Sequence, residues 1–134
     1  MIEIQAMFPV MVTPELEAVK QFYQDVFGFD AVFYEPAFYL HLVSPGSGAQ
    51  LGFLAPAHAS QPEFLHPMMS PDGYVISLEV RDAARAYEQA RSMDLDFVMH
   101  LKHEDWGQIH FMLEDPAGFR VDVVEHAEAP DKQP

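Results

Sequence analysis

The amino-acid sequence predicts an α+β fold in which one unit, strand–helix–strand–strand–strand, occurs twice. Both halves of the 134-residue chain show this order of patterns, with a repeat length of about 70 residues. The second half ends in two alternating apolar runs around the tight turn Asp115–Gly118, which is typical of a β-hairpin with one buried face. With 49% hydrophobic residues, we expect a single domain over residues 1–134.

Module one, residues 4–55, begins with a strand expected over residues 4–12. The helix that follows carries apolar side chains at helical spacing and ends at Gly28, a residue that can adopt the left-handed conformation. Pro36 and a Gly-rich turn then separate three short strands. These strands are expected over residues 31–35, 38–43 and 50–54.

Module two, residues 74–126, repeats that order after a proline-rich connector over residues 56–73. A connector of this length serves equally well as a lid over a binding cleft or as a dimer seam, and both readings stay open. A strand at 74–80, a helix capped by Asp82, a strand at 97–101 and a polar loop at 102–105 lead into the hairpin. The polar tail, residues 127–134, is expected to be disordered.

Charge and composition exclude several classes of function. The formal net charge is −14 and basic patches are absent, which argues against nucleic-acid binding. No apolar run approaches the roughly 20 residues that span a bilayer, and no signal peptide is recognisable, so we expect no membrane partner and a cytoplasmic location. The acidic field would attract a cationic ligand, although a solvated acidic surface explains the charge as well.

Three segments together resemble the vicinal-oxygen-chelate superfamily, which contains glyoxalase I, extradiol dioxygenases and bleomycin-resistance proteins. The likeness extends over residues 4–126 and rests on residues 12–29, 77–82 and 114–122. It implies two βαβββ modules that form curled mixed sheets around a cleft. Because this fold hosts several chemistries, the resemblance alone does not assign a reaction.

Metal-dependent members of that superfamily place a ligand on the first and last strand of each module. The corresponding positions here are Met7 (or Phe8 if the register slips), Gly52, Val75 and Asp122. Only Asp122 could bind a hard metal ion, and one carboxylate does not form a site. We therefore predict no metal, no other cofactor and no catalytic residue, as in the metal-free bleomycin-resistance-like branch, which residues 106–111 also resemble.

Ligand-binding candidates follow from strand alternation, which places one set of side chains on the face that lines the cleft. Trp106 could stack on a planar or cationic ligand. His110 and His41 fall at nearly corresponding places, and His110 with Glu79 and Asp122 could alternatively form a metal or proton-transfer site. The complete candidate set is Met7, Tyr39, His41, Gly52, Ser77, Glu79, Trp106, His110, Met112 and Asp122.

The favoured function is metal-independent binding of a hydrophobic or cationic small molecule in a homodimer, as in antibiotic sequestration. Whether the protein is an enzyme stays open, with binding preferred over catalysis. The alternative is a metal-dependent lyase, isomerase or dioxygenase of the same superfamily with an atypical ligand set. A third possibility is a structural or partner-binding dimer in which the cleft is vestigial.

Overall fold

A computed structural model describes residues 1–126, so the predicted disorder of residues 127–134 lies outside the described part of the chain. The chain divides into two compact units, the first ending at Ser70 and the second beginning at Pro71. Each unit contains one four-stranded sheet and one α-helix. The predicted α+β class and the repeated βαβββ order are confirmed. Within residues 1–126, no helix is long and apolar enough to cross a membrane.

The first unit forms a mixed sheet in the order β1-β4-β3-β2. Strand β1 runs parallel to β4, whereas β2, β3 and β4 are joined antiparallel. Its elements are β1 (Val10–Val12), α1 (Leu16–Phe27), β2 (Asp30–Glu35), β3 (Tyr39–Val43) and β4 (Gln50–Leu54).

The second unit repeats this topology in the order β5-β8-β7-β6. Here β5 runs parallel to β8, and the other neighbours are antiparallel. Its elements are β5 (Val75–Glu79), α2 (Ala83–Arg91), β6 (Asp96–His103), β7 (Gln108–Glu114) and β8 (Arg120–His126). Before it, the connector contains only a short 3₁₀ turn at Glu63–Leu65.

Helix α1 covers one face of the first sheet. Tyr23 is fully buried on this helix, and its ring lies 5.7 Å from that of Phe53 on β4. Gly28 ends the helix in the left-handed conformation (φ 71°), as predicted, and its N–H donates to the carbonyl of Gln24 at 3.1 Å. The opposite face of the sheet is therefore the one that α1 leaves uncovered.

Helix α2 covers the second sheet in the same way. The Tyr87 ring lies 5.3 Å from Phe111 on β7, and Asp82 caps the helix by accepting from the N–H of Arg85 at 3.0 Å, as predicted. Glu125 on β8 accepts from the N–H of Ala83 at 2.9 Å, which fixes the start of the helix to the sheet.

The turn between β7 and β8 is organised by a buried carboxylate. Asp115 Oδ1 accepts from the N–H groups of Ala117 and Phe119 at 2.9 and 3.0 Å. Gly118 supplies the positive φ of 90° that the turn needs. The predicted hairpin is confirmed at this turn.

The prediction for the first strand is wrong in the length of the strand and in the sheet face on which its side chains lie. The strand begins at Val10 rather than at residue 4, so Met7 lies outside it and is 85% exposed. Met11 opposes Phe53 and is buried on the helix-covered face, although alternation along the predicted strand would place it on the open face with Met7. Pro9 explains the short strand, because it lacks an N–H and pairs only by accepting from Gly52 N at 2.9 Å.

Strand β6 is longer than predicted. Lys102 and His103 oppose His110 and Ile109 on β7, so the expected polar loop at 102–105 is wrong at its start. Polar side chains concealed the strand, because an exposed edge strand has little apolar alternation to show. The chain reverses only after His103, and Trp106 lies at the tip of that turn.

Candidate functional site

The face of each sheet that the helix leaves open carries most of the predicted binding residues. In the second sheet, Asp122 lies between Ser77 on β5 and Met112 on β7. In the first sheet, Gly52 lies in the same way between Val10 on β1 and His41 on β3. Gly52 and Asp122 therefore occupy equivalent positions in the two units.

The same registers correct the predicted correspondence of the two histidines. Tyr39 opposes Leu54 and His110 opposes Val124, so Tyr39 is the equivalent of His110. His41 corresponds instead to Met112. Sequence spacing failed here because the turn after β3 is one residue longer than the turn after β7, residues 44–49 against residues 115–119.

No side chain fits at position 52 while Tyr39 keeps its place. A Cβ built on Gly52 would collide with the Tyr39 hydroxyl and lie 3.1 Å from Val10 Cγ2. The phenol thus fills the space that a ligating side chain would need.

Tyr39 begins a chain of hydrogen bonds across this face. Its hydroxyl lies 2.7 Å from His41 Nδ1, and His41 Nε2 lies 2.6 Å from Gln50 Oε1. The Phe8 ring meets the imidazole edge-on at 4.6 Å between centroids. Burial raises the pKa of Tyr39, so the phenol stays protonated at neutral pH.

In the second unit a buried imidazole lies between two carboxylates. His110 Nδ1 lies 2.8 Å from Asp122 Oδ1, and His110 Nε2 lies 2.7 Å from Glu104 Oε2. His110 is only 5% exposed and Asp122 only 8%. Because carboxylate oxygens only accept, both ring nitrogens donate when the ring is an imidazolium.

The pKa values reflect this arrangement. Burial acts to lower the pKa of His110, but the hydrogen bonds to Glu104 and Asp122 together outweigh it and raise the pKa. The hydrogen bond from His110 lowers the pKa of Glu104, against desolvation, and Lys102 Nζ at 3.3 Å from Glu104 Oε1 adds to the lowering. The array therefore favours a charged imidazole beside a charged Glu104 carboxylate.

Glu104 was missed by sequence analysis, and Glu79 does not make the contact that the alternative cluster with His110 and Asp122 required. Glu79 lies on the open face, but it contacts His126 Nε2 at 3.5 Å rather than His110 or Asp122. Glu104 instead bonds to His110, because the turn after His103 brings its side chain back beside that residue. The contact between Glu104 and His110 could be inferred only from the extent of β6, which continues through Lys102 opposite His110.

Within residues 1–126, no hydrogen bond joins the remaining candidates to these two clusters, although Ser77 and Met112 flank Asp122 on the neighbouring strands. Ser77 is exposed and Met112 is half-buried, both on the open face of the second sheet. Trp106 is 61% exposed at its turn. Their roles in binding stay predictions.

A catalytic metal does not fit the donors found at the superfamily's ligand positions. Gly52 cannot supply a ligand, Val75 and Phe8 have apolar side chains, and Asp122 is engaged by His110. Within residues 1–126 no group of three His, Asp or Glu side chains is arranged to hold a metal ion. The donor chemistry thus departs from that of a chelating site.

A comparison with families of known proteins agrees with this fold. The profile described as Glyoxalase/Bleomycin resistance protein/Dioxygenase superfamily matches residues 6–123. The chain belongs to this superfamily. A comparison with curated proteins gave no significant match.

Several solved structures share the architecture. A lactoylglutathione lyase from Agrobacterium tumefaciens is 22% identical with a TM-score of 0.73, over 90% of this chain and 92% of that one. A glyoxalase/bleomycin resistance protein/dioxygenase from Nocardioides is 17% identical with a TM-score of 0.74, over 100% and 91% of the two chains. TioX from Micromonospora sp. ML1 is 16% identical with a TM-score of 0.71, over 91% and 98%. Likeness at these identities shows the fold alone.

Proposed function

We propose that this superfamily member binds a hydrophobic or cationic small molecule without a metal, in the manner of antibiotic sequestration. The observation that carries the proposal is the Tyr39 hydroxyl over Gly52, which fills one ligand position of the fold with a phenol. At the equivalent position Asp122 is engaged by His110. Neither position is therefore free to bind a metal ion, because the phenol fills the space at Gly52 and the imidazole bonds to Asp122.

The chemistry of the open faces supports an organic ligand. Phe8 and Phe33 keep 41% and 49% of their surface exposed, and Met112 adds an adaptable apolar side chain. Removal of apolar area from water contributes roughly 25 cal/mol per Å². The net charge of −14 attracts a ligand that also carries positive charge.

A lyase, isomerase or dioxygenase of the same superfamily is the alternative, and lactoylglutathione lyase is one of the solved relatives by name. That alternative needs a set of converging donors that the described residues do not supply. A homodimer, as expected from the resemblance, and a cytoplasmic location complete the proposal.

Ligand binding can be tested by thermal shift with a panel of aromatic and glycopeptide antibiotics, because a ligand of the native state must stabilise it. Each titration is run with and without a metal chelator. Trp106 is the only tryptophan, so its fluorescence reports a ligand that approaches the β6–β7 turn, and Trp106→Ala controls for that signal.

A chelator-insensitive rise in melting temperature supports the proposal. Stoichiometric metal retained by protein purified without chelator, together with binding that a chelator abolishes, would favour the enzyme instead. The absence of any shift across the panel would leave the structural dimer as the best explanation.

A further inference from the structure

We propose that residues 1–8 form an arm through which two copies of this chain associate beside the open face of the first sheet. The inference rests on the proposed function, of which a homodimer is part, and it assigns the contact between the two copies to one segment. It is drawn from the exposure of the arm, its hydrogen bonding, the charge around it and its place next to His41.

The arm carries large apolar side chains that the single chain leaves in contact with water. Ile2 is 92% exposed and Ile4 is 75% exposed, and Met7 is exposed to a similar degree. Within the described residues 1–126, the backbone of residues 1–8 forms no hydrogen bond, since pairing with β4 begins at Pro9. A contiguous exposed apolar segment of this kind is typical of an interaction site.

The distribution of charge favours a second copy as the occupant. The chain has a net charge of −14, so two copies repel each other wherever their acidic surfaces meet. Around the arm this repulsion is weak, because Glu3 is the only Asp, Glu, Lys or Arg among residues 1–14 and because β3 and β4 contain none. A basic partner would find only Glu3 here, whereas a second copy brings apolar surface of the same kind.

The arm is large enough to form a stable contact. An extended chain exposes about 1.45 Å² per dalton, which gives roughly 1,200 Å² for the residues that precede Phe8. If half of this surface is covered in each copy by an equal area of the partner, the dimer buries roughly 2,400 Å² in total, whereas stable interfaces bury about 1,200–2,000 Å². Coverage of the two arms alone therefore meets the area that a stable dimer needs.

The arm begins beside the face that is proposed to bind the ligand. The Phe8 ring contacts the imidazole of His41 edge-on at 4.6 Å between centroids, and Val10 pairs with Gly52 on β4. Val10 Cγ2 lies 3.1 Å from the position of a Cβ built on Gly52, so Val10 projects from that same face. A second copy that covers the arm therefore borders the face and contributes a wall of the binding site.

Sedimentation velocity of the full-length protein over a range of concentrations measures the association. Ile2→Ser, Ile4→Ser and Met7→Ser are combined as the arm variant. These side chains are exposed in the single chain, so their replacement removes contact surface without disturbing the core. The arm variant should raise the dimer dissociation constant roughly a hundredfold or more, since truncation of one hot-spot side chain alone costs about tenfold or more.

Phe64→Ser combined with Met68→Ser is the matched control. Both side chains are exposed apolar residues of the connector, so this variant tests the connector as the dimer seam. It should keep the wild-type dissociation constant. Added salt should strengthen the wild-type dimer, because screening reduces the repulsion between acidic copies, whereas a contact made by ion pairs would weaken.

A spin label reports on the arm itself. The chain contains no cysteine, so Gln5→Cys labelled with a nitroxide carries the probe at a single site. At concentrations above the dimer dissociation constant the label should be immobilised, and on dilution below that constant it should become mobile. The ring signals of His41 should shift over the same dilution, because Phe8, which contacts this ring, belongs to the arm.

Loss of the dimer in the arm variant, but not in the connector variant, supports the inference. A dimer that the arm variant leaves intact, or a label at position 5 that is equally mobile at all concentrations, overturns the inference while the proposed homodimer stands. A wild-type chain that is monomeric at all concentrations overturns the inference and the homodimer together. In that case, arm-dependent cosedimentation with phosphatidylcholine vesicles would identify a lipid surface as the occupant instead. Ligand binding is decided separately by thermal shift, so these failures are distinguishable from failure of the proposed binding function.

Discussion

Tyr39 and His110 occupy equivalent positions in the two sheets, and each side chain reaches the position where the superfamily places a metal-ligating residue. Tyr39 covers Gly52, and His110 bonds to Asp122 at 2.8 Å. One position has no side chain and the other has a carboxylate, yet each is contacted from the neighbouring strand. The contacting residue lies two positions before the one directly opposite, which is His41 for Gly52 and Met112 for Asp122. The two halves thus differ in residue type at these positions but share one spatial relationship.

Gly52→Ala should lower stability by about 1–3 kcal/mol, since a methyl group would overlap the Tyr39 hydroxyl and crowd Val10. Urea denaturation measures the loss. The same substitution in a Tyr39→Phe background should cost less, because the colliding oxygen is gone.

Gly46→Ala is the matched control for this cycle, because a Cβ at position 46 would meet nothing within 4 Å. Its free energy of unfolding should stay near that of the wild type. Equal costs for Gly46→Ala and Gly52→Ala would contradict the steric role assigned to Tyr39.

Asp122→Leu should destabilise the protein by about 1–3 kcal/mol, because the buried Nδ1–H of His110 then has no acceptor. Asp122→Asn should cost less, since an amide oxygen can still accept. Asp94→Leu, at an exposed position, is the comparison. If chemical denaturation shows that Asp122→Leu and Asp94→Leu change the free energy of unfolding equally, the hydrogen bond between His110 and Asp122 does not stabilise the fold.

The stabilisation from the Glu104–His110 pair should depend on pH. A raised pKa for His110 means that its contribution is complete below the usual value of 6.5 and is lost as pH rises through the raised value. A lowered pKa for Glu104 means that its contribution is present above the usual value of 4.5 and is lost as pH falls through the lowered value. The pair should therefore contribute most between these two usual values.

Glu104→Gln tests this window by urea denaturation across a pH series. The difference from wild type should be largest in mildly acidic buffer and should shrink as the solution becomes alkaline. A difference that is constant with pH would show that the bond is not charge-assisted. Glu63→Gln, at an exposed residue of the connector, corrects for the change in net charge.

Asp115→Ala should cost about 1–2 kcal/mol, because two backbone N–H groups of the β7–β8 turn lose their acceptor. Asp115→Asn should retain much of that stability, since Asn also offers Oδ1. Thermal unfolding checks both. A neutral Asp115→Ala would mean that Gly118 and the strand pairing suffice to form the turn.

The sequence predicted the repeated order of elements and the β7–β8 hairpin well, because both depend on local signals. The apolar period changes from helix to strand within each half, and Asp115 and Gly118 have intrinsic turn preferences. Short-range chemistry of this kind is visible without tertiary structure. The family resemblance added the βαβββ grouping, which the profile match over residues 6–123 supports.

The site was less predictable because it depends on register. A shift of one residue turns Met11 to the helix-covered face, and a turn longer by one residue makes Tyr39 rather than His41 the equivalent of His110. Glu104 was not identified because only the three-dimensional course of the β6–β7 turn brings it next to His110. His110 and Asp122 were both named, but their mutual bond could not be read from their separation in sequence.

The contact between Phe8 and His41 has a practical consequence for handling the protein. Phe8 precedes β1, yet its ring packs against the imidazole of His41, which is hydrogen-bonded to the Tyr39 hydroxyl. Trimming the chain past Phe8, or fusing a tag close to it, should leave most of the sheet pairing intact while loosening the imidazole. A binding assay that fails on such a shortened protein would report the missing ring rather than the wrong ligand.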